Sequence, residues 1–452
     1  MRLNGQMIRA AFAGALAGLL FGFDTAVISG TTDSLVHVYR LSPFQLGVTV
    51  SIALIGTVIS AISAGVIGQD IGSRATLRLT AVLYVFSALG SCFALNWPML
   101  LVSRFIGGLA IGASSVVAPV YIAEISPAAW RGRMVGMFQI NIVVGILLAY
   151  LSNFGVQHLY LGSTEWRAEF GVAIVPAVLF FAMLFGIPQS PRWLVTRDRT
   201  VEAREVLARI GDVNPDAELN EIASAVRTAR TEHGERLFVR RYAFPIFLAL
   251  SIGALNQLSG INAILYYLND IFASAGFSAL SGGGQAVAVG LVNMLATFVA
   301  MSVIDKMGRK KLLLIGSVGT AAALAGVTAI FARQQHQDWL LPLLILYIFS
   351  FAISQGAVIW VYISEIFPST VRAKGQALGC TAHWGMNALI ALTFPVIAVH
   401  SHALPFGFFA AMMVVQFLVV LFVYPETKGV SLEALEKKLG LTRTSDIVAN
   451  VE

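Results

Sequence analysis

The sequence predicts an all-α membrane protein of twelve transmembrane helices, and three observations carry that prediction. First, 57% of the 452 residues are hydrophobic and only 12% are charged, with a mean hydropathy of +0.78. A soluble domain runs nearer about 45–50% apolar and about 25% charged, so this excess cannot fold away in one water-soluble core. At about 20 residues per span, twelve spans would take roughly 240 residues, close to the apolar total. Second, the stretches 41–69, 79–103, 134–164, 242–269 and 375–425 contain no Asp, Glu, Lys or Arg. Third, lysine and arginine are concentrated in alternate connections and the termini, as described below. A soluble enzyme, a secreted disulfide scaffold and a nucleic-acid binder are disfavoured. Cys92 and Cys380 lie far apart in apolar stretches and give neither a disulfide framework nor a metal-ligand spacing.

Turn signals divide the charge-free runs. Asn96-Trp97-Pro98 separates spans 3 and 4, and Ser281-Gly282-Gly283-Gly284 separates spans 7 and 8 as an external loop. The stretch 400–405 separates spans 11 and 12. The spans then fall near 7–30, 44–68, 76–95, 98–123, 134–154 and 169–187, and near 243–272, 285–304, 312–332, 339–364, 376–399 and 404–424. Gly14, Gly18 and Gly22 recur at four-residue spacing, as do Gly108 and Gly112, and such small faces let helices approach closely in lipid.

Of the 30 lysines and arginines, Arg40, Arg167 and Arg333 fall in the connections that would face outside, Arg104 falls inside a span, and the other 26 lie at the N-terminus, in the alternate loops or in the tail. That asymmetry predicts a multi-pass protein with both termini in the cytoplasm, and it accounts for the net charge of +6 without a polyanionic partner. No cleavable signal is expected, because the first apolar segment begins a series of spans. The interruption 188–241 carries two amphipathic patterns. One is Ala203, Val206, Leu207 and Ile210; the other is Leu219, Ile222, Ala223 and Val226. Asn214 before Pro215 reads as a helix cap. Short cytoplasmic helices are expected there, with a disordered linker as the alternative. Leu432, Leu435 and Leu439 repeat the pattern in the tail.

Tyr121, Glu124, Pro127, Arg131 and Arg133 recur as Tyr362, Glu365, Pro368, Arg372 and Lys374, each pair 241 residues apart. Gly72-Ser73-Arg74 echoes Gly308-Arg309-Lys310 at an offset of 236. The repeat predicts two pseudo-symmetric six-helix halves, 1–187 and 242–424, joined by 188–241 and followed by the tail 425–452. Parallel halves of this kind are the organisation of major-facilitator transporters. Within that frame stand Gly22-Phe23-Asp24-Thr25-Ala26-Val27-Ile28-Ser29-Gly30, Arg104-Phe105-Ile106-Gly107-Gly108, Pro188-Gln189-Ser190-Pro191-Arg192-Trp193-Leu194, Asp305-Lys306-Met307-Gly308-Arg309-Lys310 and Pro425-Glu426-Thr427-Lys428-Gly429. On these motifs the chain resembles the sugar porter family of the superfamily over nearly its whole length.

Asp24 is a carboxylate in an otherwise apolar span, where ionisable groups are costly and mark a pathway or relay. Arg104 is the one arginine inside a span and the natural partner; the alternative is a permanent structural bridge. The resemblance implies that Asp24 binds the coupling proton and that Arg104 tunes it. It also implies a sugar site at Gln139, Asn256, Gln257, Asn262, Asn293, Trp360 and Asn387, with His383 where a sugar-binding glutamine is usual. Neutral amides donate and accept and so suit hydroxyls, and an aromatic face suits the C–H side of a pyranose. Each amide alone would also serve as glue between helices.

Glu124 and Glu365 end helices and need cationic partners; Arg131, Arg133, Arg309, Arg372 and Lys374 are the candidates. The resemblance implies a cytoplasmic latch built from these residues and Asp305. Ala357 replaces a usual proline, which is expected to stiffen span 10, and Gln189 replaces a usual glutamate. The reading is a proton-coupled monosaccharide importer of the cell membrane, working by alternating access. It is not an enzyme, it needs no cofactor beyond the proton, it binds no nucleic acid, and it acts as a monomer in the lipid bilayer. A facilitative uniporter and a non-transporting sugar sensor are the alternatives.

Overall fold

A computed structural model of the chain describes residues 4–127, 130–211, 214–231, 236–368 and 371–428, without the side chains of 228–231 and Asp305. The described residues are mostly helical, with no strand among them, and twelve helical segments are long and apolar enough to cross a membrane. Spans 1 to 6 are Gly5–Tyr39, Pro43–Ile71, Ser73–Cys92, Trp97–Ile125, Arg131–Gln157 and Gly162–Met183. Spans 7 to 12 are Arg240–Tyr266, Ala279–Ile304, Arg309–Arg333, Gln337–Glu365, Arg372–His400 and Ala403–Phe422. The turn residues of the sequence are mostly helix starts. Ser42 and Gln45 form a reciprocal capping box ahead of Pro43. Asn96 Oδ1 accepts from Met99 N at 2.9 Å and opens span 4.

One expected loop is not a loop. Ser281-Gly282-Gly283-Gly284 lies within the helix Ala279–Met307. Packing overrides the weak helix preference of glycine here. A Cβ on Gly283 would lie 2.4 Å from Gln157 Oε1 and 3.1 Å from the Phe154 ring, so the missing side chain lets span 8 close on span 5. Span 6 likewise begins seven residues earlier than expected, at Gly162 rather than 169. Span 10 is irregular just ahead of Ala357. A π-helical turn, Ala352–Gly356, precedes that residue, and Ser354 Oγ donates back to Ser350 O at 2.6 Å. Wide turns of this kind interrupt the regular helical ladder. Span 7 is broken as well, between Leu258 and Ile261, where Gly260 takes φ +85° against the Phe409 ring.

The described chain forms two compact units that do not follow chain order. One comprises Met1–Thr231, Asn262–Met294 and Asn387–Val399; the second comprises Glu232–Ile261, Leu295–Met386 and His400–Glu452. The first is built around Leu16, Leu77, Tyr84, Ile111, Tyr121 and Phe180. The small-residue faces operate inside it. A Cβ on Gly22 would strike the backbone of Ile142, one on Gly145 that of Leu19, and one on Gly108 that of Ala53. Span 1 therefore meets span 5, and span 4 meets span 2, nearly backbone to backbone. The second unit packs Leu248, Ile252, Leu313, Val358, Tyr362 and Val420. Apolar side chains such as Val66, Phe86, Val175 and Val318 remain exposed, a surface suited to lipid and not to water. The 188–241 interruption contains helices Pro191–Thr196, Thr200–Arg209 and Pro215–Thr231, with Asn214 Oδ1 accepting from Ala217 N. Leu432, Leu435 and Leu439 lie outside the described residues.

The two repeat segments are fastened alike. Gly72 and Gly308 precede spans 3 and 9 with φ of +88° and +90°. Gln189 Oε1 accepts from Arg74 N at 3.2 Å, and the Glu426 carboxylate accepts from Arg309 N at 3.0 Å and Lys310 N at 3.1 Å. Tyr121 and Tyr362 then donate to the carbonyls of Pro188 and Pro425. Both side-chain oxygens sit where a helix leaves N–H groups unpaired and its dipole favours negative charge. Partial burial alone would raise the Glu426 pKa, but the N–H groups of Lys428, Arg309, Lys310 and Thr427 hold it below the ordinary value. For a depressed acid the stabilisation is complete above the unfolded value of 4.5 and is lost as pH falls through the lower folded value. The expected result is a thermal midpoint that drops on acidification below about pH 4.5. Glu426→Gln should remove much of that drop; an unchanged acid limb would show that other groups set it.

Candidate functional site

Asp24 projects from span 1 just beyond the Gly22 contact, so the close approach of spans 1 and 5 fixes its height. Arg104 Nη1 donates to Asp24 Oδ1 at 2.5 Å, with the arginine side chain only 4% exposed and the aspartate 22%. The guanidinium also lies over the Phe170 ring, 5.5 Å from its centroid. An ion pair this dry is held by geometry on both partners, and removing one leaves an uncompensated charge. The structure thus joins the two span-interior charges that the sequence singled out.

The remaining candidates fall into two groups. In the first unit Gln139 is half-buried on span 5, Asn262 follows the span 7 break, and Asn293 is buried on span 8. Asn387 on span 11 is 1% exposed; its Nδ2 donates to the Tyr266 hydroxyl at 3.0 Å, while its Oδ1 is buried without a partner. In the second unit Asn256, Gln257, Trp360 and His383 come together. Gln257 Nε2 lies 3.3 Å from Asn256 Oδ1 and 3.1 Å from His383 Nε2. Asn256 Nδ2 donates to Gln355 O at 3.4 Å. Trp360 meets His383 edge to face at 5.0 Å between centroids, and it is 37% exposed where the other three are buried. His383 therefore touches both the amide and the indole, which a packing histidine need not do. The wide turn of span 10 adds Gln355, buried beside Asn256, to this cluster.

The charged positions divide similarly. Arg309 Nη2 donates to Glu365 Oε1 at 2.8 Å, and Thr427 Oγ1 donates to Glu365 Oε2 at 2.6 Å. Glu124 is bonded by Ser73 Oγ at 3.5 Å and faces Arg192. Arg131 Nε instead donates to Ala123 O, Arg133 lies over the Trp130 ring, and Arg372 Nε donates to Phe367 O. Lys374 begins span 11, and the side chain of Asp305 lies outside the described residues.

Sequence reasoning missed two polar groups. Thr32 Oγ1 donates to Asp270 Oδ1 at 3.0 Å beyond the end of span 7. Glu169, which marked the edge of the expected span 6, is wholly buried within it. Glu169 stood at the boundary of an apolar run, and Asp270 fell within the expected span 7 without drawing notice.

A model of the sugar (and other) transporter family matches residues 10–439. The chain belongs to that family. Among family members, the arabinose-proton symporter of Bacillus subtilis is 35% identical over 441 residues, covering 96% of this chain and 95% of that protein. The D-xylose-proton symporter of Escherichia coli is 34% identical, covering 93% of each. Among solved structures, the inward open conformation of the xylose transporter XylE from E. coli superposes with a TM-score of 0.86 at 32% identity, covering 96% of this chain and 99% of that one. The family's major-facilitator fold is thus the fold of this chain, and it is a transporter rather than an enzyme.

Proposed function

We propose that this family member imports a monosaccharide together with a proton across the cell membrane by alternating access. The observation that carries the reading is the buried Asp24–Arg104 pair. Ionised, Asp24 ties span 1 to span 4; protonated, it releases that attraction and lets the helices repack around bound sugar. The names of the relatives, proton symporters for arabinose and D-xylose, support both cargoes. Gln139, Asn256, Gln257, Asn262, Asn293, Trp360, His383 and Asn387 bind the sugar in this reading, with hydroxyls bonded to amides and a ring face on the indole. The six-span halves 1–187 and 242–424 are its moving parts, so one chain suffices. The lysine and arginine asymmetry supports cytoplasmic termini in this reading.

The test is uptake of labelled glucose and xylose in transporter-deficient cells, with and without a protonophore. Concentrative uptake that the protonophore abolishes is expected. Equilibration unaffected by it would make the protein a uniporter, and binding without uptake would make it a sensor.

In the same reading Glu124, Arg131, Arg133, Asp305, Arg309, Glu365, Arg372 and Lys374 latch the cytoplasmic side. The pair Arg309–Glu365 supplies the prediction. Glu365→Gln should move the resting population toward inward-open by about tenfold, equivalent to about 1.4 kcal/mol, with intrinsic sugar affinity preserved. Cysteine accessibility from the two membrane sides reads this directly, and unchanged labelling would reduce the cluster to a topology signal.

A further inference from the structure

Glu169 sits on span 6 with no exposed surface and with both carboxylate oxygens buried and unbonded. Its neighbours are polar and under-used. A Cβ built on Gly30 of span 1 would lie 2.4 Å from Glu169 Oε1 and 2.5 Å from Asn153 Nδ2 of span 5, so the carboxyl and the amide stand side by side over a glycine that makes room for both. Asn153 Nδ2 donates to Val27 O at 3.1 Å, which leaves its Oδ1 facing inward without a donor. Trp166 Nε1, one turn before Glu169, is also buried and unbonded.

The charges around this pocket are already committed or of the wrong sign. On span 6 itself, Glu165 repels Glu169, and Arg167 turns away to donate to Cys92 O of span 3 while lying over the Trp166 ring. Asp33 on span 1 pairs with His37, and Asp24 pairs with Arg104 of span 4, which reaches the neighbouring Phe170 ring. On span 5 the Tyr150 hydroxyl donates to Leu265 O, and just beyond that span His158 is engaged with Phe154 O. An ionised carboxylate buried without a cation or donor is among the costliest groups a protein can hold. The neutral acid, by contrast, has a hydroxyl to offer and an unfilled acceptor beside it.

We infer that Glu169 is a second, titrating proton site, distinct from Asp24, in which the neutral acid fills the pocket formed by Gly30 and Asn153. Losing that proton puts a bare charge against span 1, the helix that carries Asp24, and loosens the packing of spans 1, 5 and 6. The inference does not rest on sugar transport, and its primary readout needs no substrate.

The experiment is infrared difference spectroscopy of the full chain in lipid, wild type against Glu169→Gln, titrated across about pH 5 to 8 and on to alkaline conditions. A protonated-carboxyl C=O band that is present near neutrality, absent in the variant and fading as pH rises is expected. Proton-independent sugar exchange should slow over the same alkaline range in the wild type and hold up in the variant. A wild-type spectrum with no such band, or with one that never fades, would overturn the inference. Should the glutamine variant fail to fold, Glu169→Asp answers the same question by shifting the band and its midpoint.

Discussion

Asp24→Asn is expected to abolish proton-driven accumulation of sugar while leaving exchange down a gradient in place. The amide keeps the shape of the side chain and a contact to Arg104 but cannot bind or release a proton, so it holds the pair permanently in its weakened state. The effect is large. One proton moving through 100 mV supplies about 2.3 kcal/mol, on the order of 50-fold accumulation, and all of it should vanish. Counterflow in proteoliposomes, measured beside uptake under an imposed proton gradient, separates coupling from folding. If the asparagine protein still concentrates sugar in response to the gradient, Asp24 is not the essential coupling group, and Glu169 and His383 become the next to test.

The second large effect is expected at the cluster of Gln257, His383 and Trp360. Gln257→Ala removes an amide whose Nε2 reaches both Asn256 and His383. Each lost hydrogen bond costs about 0.5–1.5 kcal/mol, and more where a hydroxyl or a buried side chain is left unpaired. Sugar affinity should therefore fall by roughly tenfold, at about 1.4 kcal/mol per decade. Trp360→Ala should do at least as much, because it deletes stacking area and also the edge on which His383 rests. His383→Gln should recover more affinity than His383→Ala, since an amide can take over the contact to Gln257. Binding measured by ligand-induced stabilisation would show this ordering, and unchanged affinity across the set would remove these residues from the site.

What the sequence could disclose tracks how local the deciding physics is. The twelve spans, the Gly22 and Gly108 faces and the pairing of Asp24 with Arg104 follow from composition, spacing and the cost of charge in lipid, all readable along one dimension. The helical state of Ser281–Gly284 depends on Gln157 and Phe154, more than a hundred residues away in sequence. Nothing within the tetrapeptide could announce it. The wide turn before Ala357 escaped for a related reason. The expectation there weighed a missing proline, whereas the helix is interrupted one residue earlier, beside Ser350 and Ser354, with no proline involved. Glu169 was hidden by its place at the end of an apolar run. His383 was legible only as an exception, and its contacts on both sides needed coordinates.

The matched fastenings at Gln189 and Glu426 have a consequence for the ancestry of the chain. A positive-φ glycine, a helix start capped by a side-chain oxygen and a tyrosine reaching the carbonyl of a proline are built twice, once in each compact unit. Independent invention of the same three-part joint is far less economical than duplication of a shorter gene whose product carried it once. The two copies have since diverged at one informative atom pair: one presents a carboxylate to the helix start and the other an amide. Because the unpaired N–H groups require an oxygen and not a charge, that drift left the joint standing. Each half has consequently been free to lose or keep its acid, and with it the sensitivity of its own joint to acidification.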